Sequence, residues 1–203
     1  GANLNDRRAG IGLILTLAAA FVFRAVLAFT VEGYGVDMGC FGAWAGRMAS
    51  GGAENFYQEG YFCDYPPAYM LVLWLFGLLG RLFGLGTGSM AFQGLMKLAP
   101  IACDLALAAV CFKWAEKKLG EGAALAVAAL LALNPAFVVT SSCWGQIDSA
   151  LALLLVLMLL YAREGKWQIA IPIFALAVLA KPQAGLLAPL GVAALLKETR
   201  LGE

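Results

Sequence analysis

The sequence WGQIDSALALLLVLMLLYA, residues 144–162, joins polar side chains directly to a long apolar run. The run from Ile147 to Ala162 is dominated by Leu and Ala and shows no sustained alternation with period two, so it favours a helix. Such a helix is typical of a membrane interior, whereas the amide of Gln146 and the carboxylate of Asp148 are not. The stretch therefore predicts a membrane helix that begins at a polar site.

The composition of the whole chain indicates the same environment. Hydrophobic residues make up 62% of the 203 residues and charged residues only 13%, and the mean hydropathy is +0.82. A soluble globule would need more polar surface than this, so we expect an integral membrane protein. The net charge of +1 gives no basis for binding nucleic acid. Partners are expected to be lipidic or membrane-borne.

Residues that hold metal ions in structural sites are scarce. No histidine is present, and the five cysteines form no CxxC pair, so neither a zinc nor an iron-sulfur site is expected. Cys40 and Cys63 fall in one polar loop, where they would form a disulfide in an oxidising compartment or remain two free thiols.

The positions of the basic residues decide which apolar runs cross the membrane. The basic clusters are Arg7/Arg8, Lys113/Lys117/Lys118, Arg163/Lys166 and Lys197/Arg200. The positive-inside rule assigns all four clusters to the cytoplasmic face. That arrangement requires the run from Ala68 to Gly80 to lie in the membrane interface, or to enter the membrane and leave it on the same side. It also requires Trp167 to Leu196 to form two short helices that turn at Lys181.

We therefore predict an all-α, polytopic membrane helix bundle in one module covering residues 1–203, with a cytoplasmic N-terminus. The predicted spans are residues 10–30, 90–113, 122–140, 147–163, 167–180 and 184–197. The unusual polar residues then share the outer face. They lie in the loop 31–89, in the turn before the fourth span and in the turn after the fifth span. Within that loop, residues 37–50 predict an amphipathic interfacial helix whose apolar stripe is Met38, Phe41, Trp44 and Met48.

Each polar residue of these turns also has a purely structural interpretation. Asp37 and Asp148 would each serve as the N-cap of a helix. Lys181 would snorkel from a helix end, and the Tyr65-Pro66-Pro67 run would only start the next helix rigidly.

Asp104 is different, because it lies in the middle of LAPIACDLALAAVCF, residues 98–112. A charge in the middle of a membrane helix costs at least ~2.5 kcal/mol, so this carboxyl group must be protonated, paired or exposed to a wet cavity. Lys97 is about 10 Å away along the helix axis, too far for a direct pair. Arg24, near the outer end of the first span, is the candidate partner.

The order of these motifs resembles one family of membrane enzymes. A loop carboxylate after the first span, the CDYPPAYM stretch, a lysine in the second span, an outer WGQID and an outer KPQ resemble the glycosyltransferases of the C-type membrane fold. These enzymes take sugar from a polyprenyl phosphate. The resemblance is closest to the bacterial relatives of protein O-mannosyltransferases and of the mannosyltransferases of glycosylphosphatidylinositol synthesis. It covers the chain from Arg24 to about Leu196.

The resemblance implies an active site on the outer face of a bacterial or archaeal plasma membrane, with Asp37 as the catalytic base. Mannose is one candidate for the sugar, and the sequence identifies neither the sugar nor the acceptor. The other implied roles are donor-phosphate binding by Lys181, Arg24 and Lys97, and positioning of sugar or acceptor by Tyr65, Gln146, Asp148 and Gln183. Many relatives carry a pair of acids in the first loop, and here a second acid would be Glu32, Glu54, Glu59 or Asp64. Relatives also continue through further spans, so the chain would be an N-terminal module or a short member.

The chemistry of such a transfer suits these residue types on general grounds. The leaving phosphate needs cations, and the attacking hydroxyl needs a base, which one carboxylate supplies. A single base without a second carboxylate as nucleophile favours inversion. No cofactor is required, although Asp37 with another loop acid is compatible with a divalent metal.

Two other classes of function remain open at this point. A transporter or lipid flippase would use Asp104, Arg24 and Lys97 as an ion or headgroup path, but its repeated halves with broken helices are not evident. A non-catalytic membrane subunit would only assemble with a partner.

Overall fold

The computed structural model describes residues 4–201, with side chains described from residue 8 to residue 197. Every regular element in that range is helical, which confirms the predicted all-α class. The helices are α1 Leu4–Thr30, α2 Gly35–Gly51, α3 Pro67–Leu82, α4 Met90–Leu119, α5 Glu121–Ala132, α6 Pro135–Phe137, α7 Asp148–Arg163, α8 Trp167–Ala180 and α9 Ala188–Leu201. A π-helical segment, Val138–Cys143, continues α6, and a 3-10 helix, Pro182–Leu187, precedes α9.

Three of the described segments are long and apolar enough to cross a membrane: Arg8–Thr30, Met90–Leu119 and Glu121–Cys143. They correspond to the first three predicted spans and identify the chain as a membrane protein. Helices α7, α8 and α9 are shorter, with 16, 14 and 14 residues, against the ~20 that a bilayer core requires. The last predicted span, 184–197, begins as a 3-10 helix and becomes α-helical only at Ala188.

Met90–Leu119 runs antiparallel to the other two long segments, and the three pack through small residues. Lys97, near the start of α4, donates to the carbonyl of Val31 at the end of α1, and Gly10 shares a cavity with Lys113 at the opposite end. Ala20, Ala108 and Ala132 are completely buried where the helices α1, α4 and α5 meet. Small side chains let membrane helices approach closely.

We call the end of the bundle formed by Thr30, Met90 and Cys143 the upper end, and the opposite end the lower end. Both ends of α3 lie at the upper end. Tyr65, just before α3, contacts Gln146, and Gly80 in its last turn packs against Phe92 in the first turn of α4. Helix α3 therefore does not run the length of the bundle.

Basic residues of two of the clusters lie together at the lower end. Lys113 and Lys117 line a cavity with Gly10 of α1. A hydrogen bond from Lys166 lowers the pKa of Glu164, and the charge of Lys117 lowers it further, so the α7–α8 turn lies beside the end of α4. The side chains of Arg7 and Arg200 lie outside the described residues. The basic residues at the end of α4 and in the α7–α8 turn thus lie at the same end of the bundle as the start of α1.

The amphipathic helix predicted at residues 37–50 is present as α2, but its apolar face is not left for lipid. Its four stripe residues are 1–3% exposed and pack mainly against α3 through Tyr69, Met70, Leu73 and Phe76. The approach is close, because a Cβ atom added at Gly77 would lie 2.2 Å from the carbonyl oxygen of Ala45. Helix α3 is itself apolar, so it covers this stripe better than an interface would.

Candidate functional site

Five side chains that are far apart in the sequence meet at the upper end. They come from the first turn of α2, the loop before α3, the turn before α7, the first residue of α7 and the end of α8. They are Asp37, Tyr65, Gln146, Asp148 and Lys181. We call this set the upper polar cluster.

Asp37 is bound through its side chain to another segment, which the capping interpretation does not require. Helix α2 begins at Gly35 with Tyr34 in the N-cap position, so Asp37 lies inside the first turn. There its negative charge interacts favourably with the helix dipole. Its Oδ2 accepts a hydrogen bond from Nε2 of Gln146, and the carboxylate is half-buried. The carboxylate is thereby oriented by an amide that leaves its charge unneutralised.

Gln146 is held by a tight turn. The amide of Trp144 donates to the carbonyl of Val139 over 2.8 Å, and the amide of Gln146 donates to that of Thr140 over 2.9 Å. Gly145 adopts φ +80°, a left-handed conformation that favours glycine. The π-helical segment and this glycine together turn the chain so that the Gln146 side chain faces α2; π-helical turns are frequent at functional sites.

Tyr65 lies between Gln146 and Lys181. Its hydroxyl is 3.5 Å from Oε1 of Gln146, to which it donates, and Nζ of Lys181 is 5.8 Å from its ring centre. The Phe41 ring packs edge-on against the Tyr65 ring, with 5.4 Å between the two ring centres. Burial raises the pKa of Tyr65, and the nearby carboxylates of Asp148 and Asp37 raise it further. The phenol is therefore protonated at neutral pH and acts as a donor.

Lys181 and Asp148 form an ion pair between Nζ and Oδ1. The pair is asymmetric in exposure, because the Lys181 side chain is 14% exposed and that of Asp148 is 53% exposed. Ile147 is the N-cap of α7, so Asp148 is not the capping residue. Lys181 has extended backbone angles, φ −147° and ψ 127°, as a residue before proline prefers. Its ammonium group is thus directed into the cluster, and the snorkelling interpretation does not describe it.

Asp104 pairs with Arg24, the partner that the sequence suggested. Nη1 of Arg24 lies 2.7 Å from Oδ2 of Asp104, and the two side chains are 0% and 2% exposed. Nε of Arg24 also donates to the carbonyl of Ala132 over 2.9 Å.

The carbonyl of Ala132 is available because α5 stops there. Its regular partner would be the amide of Ala136, four residues on. That amide is instead bound by Oδ1 of Asn134 over 2.9 Å, since Asn134 caps α6 and Pro135 occupies its first position. The Asn-Pro sequence therefore creates the main-chain acceptor that Arg24 uses.

Lys97 is also buried, and its ammonium group binds main-chain carbonyls at the C-terminal end of α1. Its ammonium group donates to the carbonyls of Val31 and Ala28 over 2.7 and 3.3 Å, where a cation interacts favourably with the helix C-terminus. Its side chain passes under the turn, 3.2 Å from where a Cβ atom of Gly145 would lie. Lys97 and Arg24 thus belong to two buried sets of hydrogen bonds, and Lys181 is the cation of the upper polar cluster.

The remaining predicted residues lie around this cluster. Gln183 is exposed in the 3-10 helix after Lys181. The four candidate second acids of the loop are all exposed, and Asp64 is close enough for its charge to raise the pKa of Tyr65. Cys40 and Cys63 are free thiols. Among the residues that the structure describes, no group of three acidic or cysteine side chains is arranged to hold a metal ion.

Sequence reasoning missed three buried serines that lie between the Arg24–Asp104 ion pair and the segments that carry the upper polar cluster. Ser149 donates to Oδ1 of Asp104, and its Oγ lies 2.6 Å from that of Ser141. Ser142 lies 3.2 Å from Nη1 of Arg24 and accepts from it. A serine pair inside an apolar run was the available signal, because hydroxyl groups at that depth need partners.

The cluster combines groups with distinct chemical capacities. A half-buried carboxylate oriented by an amide is suited to accept a proton, and an adjacent ammonium group is suited to neutralise an anion. A protonated phenol and two further polar side chains are suited to orient hydroxyl groups of a ligand. No protein-family model, curated protein or solved structure matches this chain.

Proposed function

We propose that the chain is a glycosyltransferase module that moves a sugar from a polyprenyl-phosphate donor to an acceptor hydroxyl on the outer face of the membrane. The sugar is proposed to be mannose, and the reaction inverts the configuration at the anomeric carbon. Asp37 is the catalytic base and Lys181 neutralises the donor phosphate. Tyr65, Gln146 and Asp148 position the substrates.

The observation that carries this proposal is the contact of Asp37 with Gln146 beside the Lys181–Asp148 ion pair. A base and a phosphate-neutralising cation must be adjacent for displacement at a sugar phosphate, since the attacking and leaving oxygens lie on opposite sides of one carbon. Tyr65, which contacts both Gln146 and Lys181, links the two halves of the cluster.

The proposed reaction is a direct displacement. The acceptor oxygen forms a bond to the anomeric carbon as its proton passes to Asp37. The bond from that carbon to the phosphate oxygen breaks, and the electron pair leaves with the polyprenyl phosphate. Lys181 neutralises the charge that develops on the phosphate, as preorganised cations do in other transfer reactions.

The proposed topology has six spans and a cytoplasmic N-terminus. It assigns the lower end, with its basic clusters, to the cytoplasm and the upper end to the outside. The short helices α7, α8 and α9 then cross a thinned part of the membrane, an adjustment that bilayers make at modest cost.

A donor assay with the purified protein in lipid vesicles tests the function. The probe is a polyprenyl phosphate that carries radiolabelled mannose, presented with and without a short-chain glycoside acceptor. Transfer or donor hydrolysis that is lost in Asp37→Asn supports the proposal. Labelled lipid that crosses the bilayer unchanged identifies a flippase. If the lipid is neither consumed nor moved, the chain is a non-catalytic subunit.

A further inference from the structure

We infer that Ser149 is a positioning residue, which transmits the geometry of the buried Arg24–Asp104 ion pair to the upper polar cluster. The inference rests on the proposed function for its effect on activity, but the positioning itself is a statement about structure. Ser149 follows Asp148 directly and is 7% exposed. It lies in the first turn of α7, at the boundary between the cluster and the bundle interior.

The directions of the hydrogen bonds around Ser149 follow from the number of protons available. A hydroxyl group has one proton to donate, and an ionised carboxylate only accepts. Ser149 therefore gives its proton to Oδ1 of Asp104, and the 2.6 Å contact with Ser141 must use a proton from Ser141. Both acceptor oxygens of Asp104 are then occupied, one by Ser149 and one by Arg24.

This network connects the helices on which the cluster depends. Arg24 belongs to α1, Asp104 to α4, and Ser149 to α7, while the Ala132 carbonyl ends α5. The first turn of α7 is thus attached to the ion pair by one side chain. Asp148 and Gln146 stand next to that attachment, so its loss lets them move relative to Asp37 and Lys181.

Ser142, another serine of the network, differs from Ser149 in what it attaches. Ser142 accepts from Arg24 and belongs to the π-helical segment, and it has no part in holding α7. It is also buried, at 0% exposure against 7% for Ser149. Ser142→Ala therefore removes a buried hydroxyl from the same network without releasing α7, and it is the matched control for Ser149→Ala.

A cross-linking experiment measures the positioning without any substrate. In a cysteine-free background, Asp37→Cys and Gln146→Cys are combined and treated with a short thiol-specific cross-linker. We expect the initial rate of cross-linking to fall severalfold when Ser149→Ala is added and to stay unchanged when Ser142→Ala is added. Equal rates in the two variants would overturn the inference. A thermal melt in detergent checks that the two serine variants are equally folded.

The mannose transfer assay supplies the second measurement. We expect Ser149→Ala to lower kcat about tenfold or more with little change in the KM for donor, because misplaced catalytic groups slow the chemical step. Ser142→Ala retains kcat. A slower cross-link in a protein without transferase activity would refute the proposed function and leave the positioning intact. Full kcat in Ser149→Ala would refute the positioning and leave the transferase proposal intact.

Discussion

A hydrogen bond joins Gln146 to Asp37, although 109 residues separate them in the chain. It connects the first turn of α2 to the turn before α7, two segments that no short loop brings together. The partner of the carboxylate is a neutral amide, and no cation is hydrogen-bonded to Asp37 among the contacts of the described residues. The first prediction concerns the carboxylate of this contact.

Asp37→Asn is expected to lower sugar transfer by at least ~100-fold, because an amide cannot act as general base. Asn matches Asp in size and can still bond to Gln146 after rotation of either amide, so folding and donor binding are expected to stay near normal. Initial rates with labelled donor, together with a donor-binding titration, measure both quantities. Glu32→Gln is the control, since Glu32 is an exposed acid in the same loop. Near-wild-type transfer in Asp37→Asn would make Asp148 the next base to examine.

Lys181→Ala is expected to weaken binding of the polyprenyl-phosphate donor, and Lys181→Arg is expected to weaken it less, because Arg keeps the charge. Binding is measured by titration with polyprenyl phosphate. Lys166→Ala is the control, because Lys166 also pairs with a carboxylate, Glu164, over 2.7 Å but lies at the lower end. Donor affinity that is the same in both alanine variants would exclude Lys181 from the phosphate site.

Asp104→Leu is expected to destabilise the protein by about 3–5 kcal/mol, because it leaves the Arg24 charge buried without a partner. The double variant Arg24→Met, Asp104→Leu is expected to recover a large part of that loss, since no charge remains buried. Denaturant midpoints in detergent provide the comparison. Additive losses in the double variant would mean that the two side chains do not stabilise each other.

Single cysteines in a cysteine-free background are expected to report the proposed sidedness in intact cells. Cysteines at Lys118 and Arg163 should resist a membrane-impermeant thiol reagent, whereas cysteines at Glu54 and Trp144 should react. Trp144 is chosen because it is 53% exposed, whereas the neighbouring Ser142 is completely buried. Labelling at Lys118 together with Glu54 would show that α3 crosses the membrane.

Cys40 and Cys63 are expected to react slowly with alkylating reagents at neutral pH. Burial raises the pKa of both thiols. The thiolate is the reactive form, so a raised pKa leaves less of it at any given pH, and the rate should rise as the pH passes above ~8.5. Site-resolved mass spectrometry over a pH series gives the rates, with the unfolded protein as reference. Rates equal to those of the unfolded protein at pH 7 would contradict the expectation.

Much of the fold was predictable because its determinants are local. Long apolar runs with Leu and Ala form helices wherever they lie, and the stripe of Met38, Phe41, Trp44 and Met48 predicts α2 from spacing alone. What covers that stripe was not predictable. From the sequence alone, an apolar face is compatible with a membrane surface or with a neighbouring helix. The structure distinguishes the two through the close approach of α2 and α3 at Gly77.

The candidate site was predictable by residue type more than by contact. Polar side chains in apolar surroundings single out Asp37, Gln146, Asp148 and Lys181, because each is costly there without a partner. Which cation pairs with which carboxylate depends on helix packing. The resemblance implied phosphate binding for both Lys97 and Arg24, yet Lys97 binds the carbonyls that end α1, and Arg24 binds the Ala132 carbonyl, whose regular amide partner is bound by Asn134. The Asn134-Pro135 sequence marks the end of α5, but the sequence does not indicate which side chain reaches the carbonyl that is freed there.

The wide separation of Asp37 from Lys181 has a consequence for how the protein is made. A ribosome that has produced α2 and α3 has already delivered Asp37 and Tyr65, but Gln146 and Lys181 reach the membrane only after α5 and α8 have been translated. Until then the nascent chain holds an acid without its orienting amide and without the neighbouring cation. The cluster therefore assembles late in synthesis, and a chain that terminates before α8 lacks the lysine that completes it.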